Sequence, residues 1–303
     1  MNSPPAIDQV VLLFSPLMLV LMNTILALVI FGISLDLKLA DFRLALRSPK
    51  GLILATVGHH LIFPAMTFGL LFLLQPQPSI ALGMILVSSC PAGHLSNFMT
   101  HLARGNTALS VSASALSSLL AIVLTPLNFN FWGHLHPITR NLMTTIAIDP
   151  WAMLWDITLI LGAPLAMGML VSHRYPQWAK RAQQPMKRFS LIVFGLFVVG
   201  ALAANFRPFF ENLHRVVFLV FVHNAMALGT GYGLSTLVGL GERERRAVTY
   251  EMGIQNTALG LILIFNLFKG LGGMAIITGW WAVWHVVTGL TLATYWSKRA
   301  PGT

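Results

Sequence analysis

Along this chain, long apolar runs alternate with short polar connections, and the runs are of membrane-crossing length. Nine of them stand out, at roughly 9–35, 50–74, 79–102, 107–126, 150–172, 187–206, 213–238, 245–268 and 273–297. About 20 apolar residues in a helix cover the hydrocarbon core of a bilayer. Backbone polar groups in lipid must be satisfied within the segment, which favours helices. The pattern therefore predicts an all-α polytopic membrane protein of nine transmembrane helices, forming one unit over 1–303.

Two runs are broken by polar residues. The third contains Cys90-Pro91-Ala92-Gly93-His94-Leu95-Ser96-Asn97, and the eighth contains Glu251-Met252-Gly253-Ile254-Gln255-Asn256-Thr257. Pro91 removes a backbone donor and the glycines loosen the helix. A carboxylate inside a span costs at least about 2.5 kcal/mol, which marks Glu251 as functional. Spans one to four and six to nine form two sets, and each broken helix is third in its set. An offset of five spans inverts one set against the other. This is the inverted-repeat plan of secondary transporters, in which broken helices meet at a binding site. Crossing of the two breaks would put helix N-termini, which attract anions, beside free oxygens, which hold cations.

Span four adds Ser110, Ser114, Ser117 and Ser118, spaced by three or four residues along one helix face. Facing Ser96 and Asn97, they suit a hard, oxygen-seeking cation. One carboxylate among neutral oxygens carries too little charge for a tight divalent site, so a small monovalent ion is expected.

Composition agrees with this reading. The mean hydropathy is +0.74 and only 9% of residues are charged. The formal net charge of +10 raises nucleic acid as a partner, but the placement of the cations excludes it. Fifteen of the 19 Lys and Arg lie in one set of connections, from Lys38, Arg43, Arg47 and Lys50 to Lys298 and Arg299. The other set holds only Arg140, Arg207, Arg215 and Lys269. The positive-inside rule then puts the C-terminus in the cytoplasm and the N-terminus outside a cell (inner or plasma) membrane. Cys90, the single cysteine, excludes an internal disulfide and a cysteine zinc site. Met1 to Gln9 lacks a basic n-region, so no cleavable leader is expected.

Smaller expectations follow. Asn128 to Asp149 reads as the longest external connection, with Trp132, His134, His136 and Pro137 at the interface. Asp149 caps the helix opened by Pro150. Trp296 fits an interfacial belt, and Gly229-x-x-x-Gly233 permits close helix packing. His223-Asn224 reads as structural support inside the membrane. His60 points to a different helix face from His59.

The broken-helix residues also carry a family resemblance. Pro91 to Asn97, Leu102-Ala103-Arg104-Gly105-Asn106, Glu251 to Asn256, Val283-Trp284-His285 and the segment from Ile30-Phe31-Gly32 to Pro49-Lys50 resemble the bile acid:sodium symporter family. The resemblance covers nearly the whole chain. It implies a core of two crossed, discontinuous helices, about 50–126 and 213–297, and a panel, about 9–35 and 150–206. It also implies nine spans, where bacterial members often have ten. A first sodium site then maps to Ser96, Asn97, Ser110, Ser114 and Glu251. A second maps to Glu251 and Gln255 with the carbonyls of Met252 and Ile254. Its remaining position, familiar as a Gln, is His59 here. An imidazole is a poor sodium ligand, so this chain is expected to hold one Na+ or to let a proton replace the second ion. Substrate contacts map to His94, Asn256 and His285, which can donate to an anion.

The resulting expectation is sodium-coupled symport of an organic anion, a small carboxylate or bile-acid-like molecule, by alternating access. Its partners are that anion, one or two Na+ and the bilayer, with no obligatory protein partner evident. Two other classes compete. An intramembrane hydrolase would draw on His59, His60, His94 or His101, but no HExxH motif occurs, and no enzyme is expected. A channel or non-transporting sensor on the same fold is the third.

Overall fold

The computed structural model describes residues 7–9, 12, 15–35, 49–146, 149–204 and 206–301, and these are almost entirely helical. In chain order the helices are α1 (Pro16–Ser34), α2 (Pro49–Leu74), α3 (Pro78–Ser89), α4 (Leu95–Leu102), α5 (Thr107–Leu135), α6 (Pro137–Ile146) and α7 (Pro150–Arg174). They continue as α8 (Pro176–Ala204), α9 (Phe206–Leu213), α10 (Val217–Leu237), α11 (Glu242–Gly253), α12 (Thr257–Leu267) and α13 (Gly272–Ser297). Among the described residues, five helices are long and apolar enough to cross a membrane: α2, α5, α7, α10 and α13. The shorter α3 and α12 are also apolar. The protein is a polytopic membrane protein. Lys38, Arg43 and Arg47 lie outside the described residues, as does most of the connection from Ile30-Phe31-Gly32 to Pro49.

The two expected breaks are real ends of helices. α3 stops at Ser89 and α4 starts at Leu95; α11 stops at Gly253 and α12 starts at Thr257. Elsewhere the helices differ from the hydropathy pattern. α1 begins at Pro16, not residue 9, because Ser15 Oγ accepts from Met18 N at 3.2 Å and caps it. Asp8 and Leu12, before it, belong to another neighbourhood. Asp8 Oδ1 accepts from Ser79 N at 2.9 Å, and Leu12 N donates to Gly270 O at 2.9 Å. The expected connection at Asn128–Asp149 is helical as far as Ile146. α5 continues through Pro126 to Leu135, and α6 follows, burying Thr139 and Met143. Thr139 Oγ1 donates to Gly133 O at 2.6 Å and holds α6 to α5. Asp149 does cap α7, accepting from Trp151 N at 2.9 Å.

α2 and α7 each contain a five-residue π-helical turn, Gly58–Ile62 and Thr158–Gly162. In both, a proline follows at the second position beyond the turn, Pro64 or Pro164. A proline cannot donate to the carbonyl four residues back and crowds it, so the turn widens. The carbonyl freed at His60 accepts from Asn128 Nδ2 at 2.8 Å. This turn presents both His59 and His60 to the interior, where they are 1% and 5% exposed.

α1 packs against α7 and α8, while α3 packs against α5 and α13, and α4 against α5, α11 and α13. Between membrane helices, small residues and polar bonds supply the specificity. α10 approaches α11 at Gly231, where a Cβ would lie 2.8 Å from Thr249 Cα. It does not do so at Gly229 or Gly233, where a Cβ meets nothing within 4 Å among the described residues. The close-packing expectation was thus placed on the wrong face of that helix. Trp296 is likewise buried, 7% exposed, against Tyr250 and Arg246, and not an exposed belt residue.

Candidate cation site at the helix crossing

The two unwound segments lie against each other. Ala92 and Gln255 form an antiparallel bridge. Gly93 N donates to Ile254 O at 2.8 Å, and Asn256 N donates to Pro91 O at 2.9 Å. Backbone groups left free by the breaks therefore satisfy each other. The approach requires glycine at 93, since a Cβ there would lie 2.6 Å from Gln255 O. Ser117 Oγ on α5 supports the bridge by accepting from Ala92 N at 3.1 Å.

Beside the bridge, Glu251 is 1% exposed and its carboxylate faces hydroxyls from α4 and α5. Oε1 is 2.5 Å from Ser96 Oγ, 2.7 Å from Ser110 Oγ and 2.8 Å from Ser114 Oγ. Oε2 is 2.9 Å from Ser114 Oγ. Asn97 Oδ1 lies 2.8 Å from Ser110 Oγ and 3.2 Å from Ser114 Oγ, and Ser96 Oγ lies 3.2 Å from Ser114 Oγ. All five residues of the first sodium set are thus in one cluster. Its proton count is informative. With Thr100 Oγ1, 3.2 Å from Ser110 Oγ, four hydroxyl protons serve eight oxygen–oxygen contacts. If Ser110 and Ser114 give their protons to the carboxylate, none remains between them and Asn97 Oδ1. With the Asn97 oxygen towards the serines, lone pairs then face lone pairs, and either a cation among them or a turned amide removes the conflict. Among the described residues no three His, Cys, Asp or Glu are grouped to hold a metal. The cluster's donors are hard oxygens, suited to a hard ion.

The second set has a different chemistry. His59 Nδ1 is 2.8 Å from Glu251 O, and His59 Nε2 is 2.8 Å from Cys90 O. Both partners only accept, so the ring meets both at once only with a proton on each nitrogen. Met252 O accepts from Gln255 Nε2 at 2.7 Å, and Ile254 O from Gly93 N. Each carbonyl of the set already holds a donor from the protein. Within this set, the one buried side-chain atom without a partner among the described residues is Gln255 Oε1. His59 here bridges the ends of both broken helices.

The three substrate candidates share no hydrogen bond among the described residues. Asn256 Oδ1 caps α12, accepting from Leu259 N at 3.1 Å, which leaves its amide protons for a ligand. His94 precedes α4, and its Nε2 is enclosed without a partner. His285 on α13 is 6% exposed, and its Nδ1 has no partner among the described residues. His223 is fully engaged: Trp281 Nε1 donates to its Nδ1 at 3.1 Å, and its Nε2 lies 2.8 Å from Thr67 Oγ1. Asn224 Nδ2 donates to Gly253 O at 2.8 Å, supporting the end of α11. His60 Nε2 lies 2.9 Å from Ser117 Oγ, one bond from the bridge. Arg246, one of the fifteen cations in the expected cytoplasmic set of connections, is only 2% exposed. The sequence signal for it was the Glu242–Arg246 spacing of one helical turn.

Comparison with known proteins places this chain. A model of the sodium bile acid symporter family matches residues 23–211. The sodium-dependent transporter YocS of Bacillus subtilis is 31% identical over 274 residues, covering 90% of this chain and 82% of that protein. The probable sodium/metabolite cotransporter BASS1, chloroplastic, of Oryza sativa subsp. japonica is 31% identical over 272 residues, 89% of this chain and 64% of the relative. The human P3 protein is 26% identical over 237 residues, 77% of this chain and 48% of its own length. The chain belongs to the sodium bile acid symporter family, as its motifs indicated.

Proposed function

We propose that the protein is a sodium-coupled symporter of an organic anion, and that one Na+ binds among Ser96, Asn97, Ser110, Ser114 and Glu251. The observation that carries this is the surplus of oxygens over protons around Glu251. The relatives named as sodium-dependent transporters or cotransporters support the coupling ion and the transport role. In this reading nine crossings place the C-terminus in the cytoplasm and the N-terminus outside a cell membrane. α2 to α5 and α10 to α13 form the core, and α1, α7 and α8 form the panel. The anion binds beside the crossing, held by Asn256, His94 and His285 and by the N-termini of α4 and α12. Na+ neutralises Glu251 and rigidifies the crossing, so that the loaded core moves against the panel while the empty, charged site does not.

The test is uptake of labelled small carboxylates and bile salts into proteoliposomes, driven by an inward Na+ gradient. Accumulation that depends on Na+ and exchanges with unlabelled substrate supports a carrier. Anion binding without uptake or exchange points instead to a sensor on the same fold. A second reading, favoured by the two carbonyls around the His59 ring, lets a proton there replace a second ion. Alkalinisation of the outer medium during uptake separates it from the single-sodium carrier.

A further inference from the structure

The sodium reading requires α4 and α11 to keep one register, because Ser96 and Asn97 come from the first and Glu251 from the second. The contact that holds this register lies at the helix ends remote from the crossing. Arg246, near the start of α11, is 2% exposed. Its Nη1 donates to Ala103 O at 2.7 Å, to Trp296 O at 3.2 Å and to Arg299 O at 3.3 Å. Its Nε donates to Glu242 Oε1 at 2.9 Å, and the guanidinium lies 5.5 Å from the Trp296 ring centroid.

Ala103 terminates α4, and Trp296 and Arg299 flank the end of α13. Terminal carbonyls have no partner within their own helix and form the negative ends of the helix dipoles. One buried cation therefore ties two negative helix ends to a third helix. A guanidinium suits this, with several donors in a fixed plane and a face that stacks on indole. Asn106 N, at the N-cap of α5, donates to Arg243 O at 2.7 Å and so ties α5 to α11 by a separate backbone bond. None of the Arg246 bonds reaches α5, which supplies Ser110 and Ser114.

We propose that Arg246 is the positioning residue of the cation site. By fixing the ends of α4 and α13 to α11, it sets the distance at which Ser96 and Asn97 meet Glu251, and so sets Na+ affinity. It is not itself a ligand. This role rests on the sodium reading above.

The test is radiolabelled Na+ binding to the purified full-length protein, with thermal melting alongside. The variants are Arg246→Met, Arg246→Lys, Ser96→Ala, Ser110→Ala and the serine–arginine doubles. Arg246→Met is expected to weaken Na+ binding about tenfold, and Arg246→Lys by less. Adding Ser96→Ala to Arg246→Met is expected to cost nothing further, because α4 has already lost its register. Adding Ser110→Ala is expected to cost its full single-variant factor. If Arg246→Met does not fold, Arg246→Lys carries the same cycle. If arginine replacement lowers melting in sodium-free buffer but leaves affinity intact, or if both doubles are additive, the proposal is overturned. If neither serine variant alone alters Na+ binding, the sodium reading fails, and this role falls with it.

Discussion

The Glu251 side chain and the Glu251 carbonyl sit in two neighbouring oxygen clusters that differ in their protons. The carboxylate meets three hydroxyls, two of which also meet the Asn97 amide oxygen, and the contacts outnumber the protons. The carbonyl, with those of Met252, Ile254 and Cys90, meets N–H or imidazole groups of the protein itself. In the proposed reading a cation from solution completes the first cluster, whereas in the second each carbonyl already faces a group of the protein, from His59, Gln255 or the backbone. Oxygen count alone does not make an ion site. What matters is whether the chain brings its own donors to those oxygens.

The bridge between the breaks holds both clusters, so its loss is expected to have the largest effect. In Gly93→Ala, the new Cβ would press on Gln255 O and part the two segments. Uptake by that variant is expected to fall on the order of 100-fold, while Gly229→Ala leaves it unchanged. Retention of full uptake by Gly93→Ala would show that the close approach is dispensable. Next, Ser110→Ala and Ser114→Ala each remove one oxygen from the first cluster only. Half-saturation for Na+ is expected to rise about tenfold in each, with the concentration dependence still that of one ion. His59→Gln tests the second cluster. A glutamine offers an oxygen where the ring offers N–H, and it frees one carbonyl. Uptake is expected to become steeper in Na+, with a Hill coefficient moving from about one towards two. Unchanged coupling would remove His59 from ion selection. The smallest effect concerns packing. Gly231→Ala is expected to destabilise by about 1–3 kcal/mol through contact with Thr249, and Gly229→Ala by less than about 0.5 kcal/mol. Paired thermal melts compare them.

Much of this was legible in the sequence, for physical reasons that also mark the limits. Pro91, Gly93, Gly253 and the carboxamides interrupt their spans because they alter backbone bonding locally, and local effects show in a string of residues. The five-residue cation set was read through a family resemblance, and the serine spacing on α5 supplied its helical face. His59 was legible as a departure, but not as a bridge. Its two partners lie 31 and 192 residues away, and the π-helical turn that aims it depends on Pro64. Gly229 and Gly233 match a packing pattern that does not say which face meets α11. Arg246 reads in the sequence as one of the fifteen cations of the expected cytoplasmic connections, because its carbonyl partners exist only once α4 and α13 end beside it. Asn128 to Ile146 looked like a loop because its polar residues hid two buried contacts, Thr139 and Met143.

Equilibrium binding of radiolabelled Na+ to the purified protein and to Glu251→Gln tests the central claim most directly. The substitution keeps a side-chain oxygen and removes the charge. Saturable binding of one Na+ per chain is expected, displaced by excess unlabelled Na+ but not by K+, and lost in Glu251→Gln. Equal Na+ binding by both proteins would contradict the assignment of the site to Glu251.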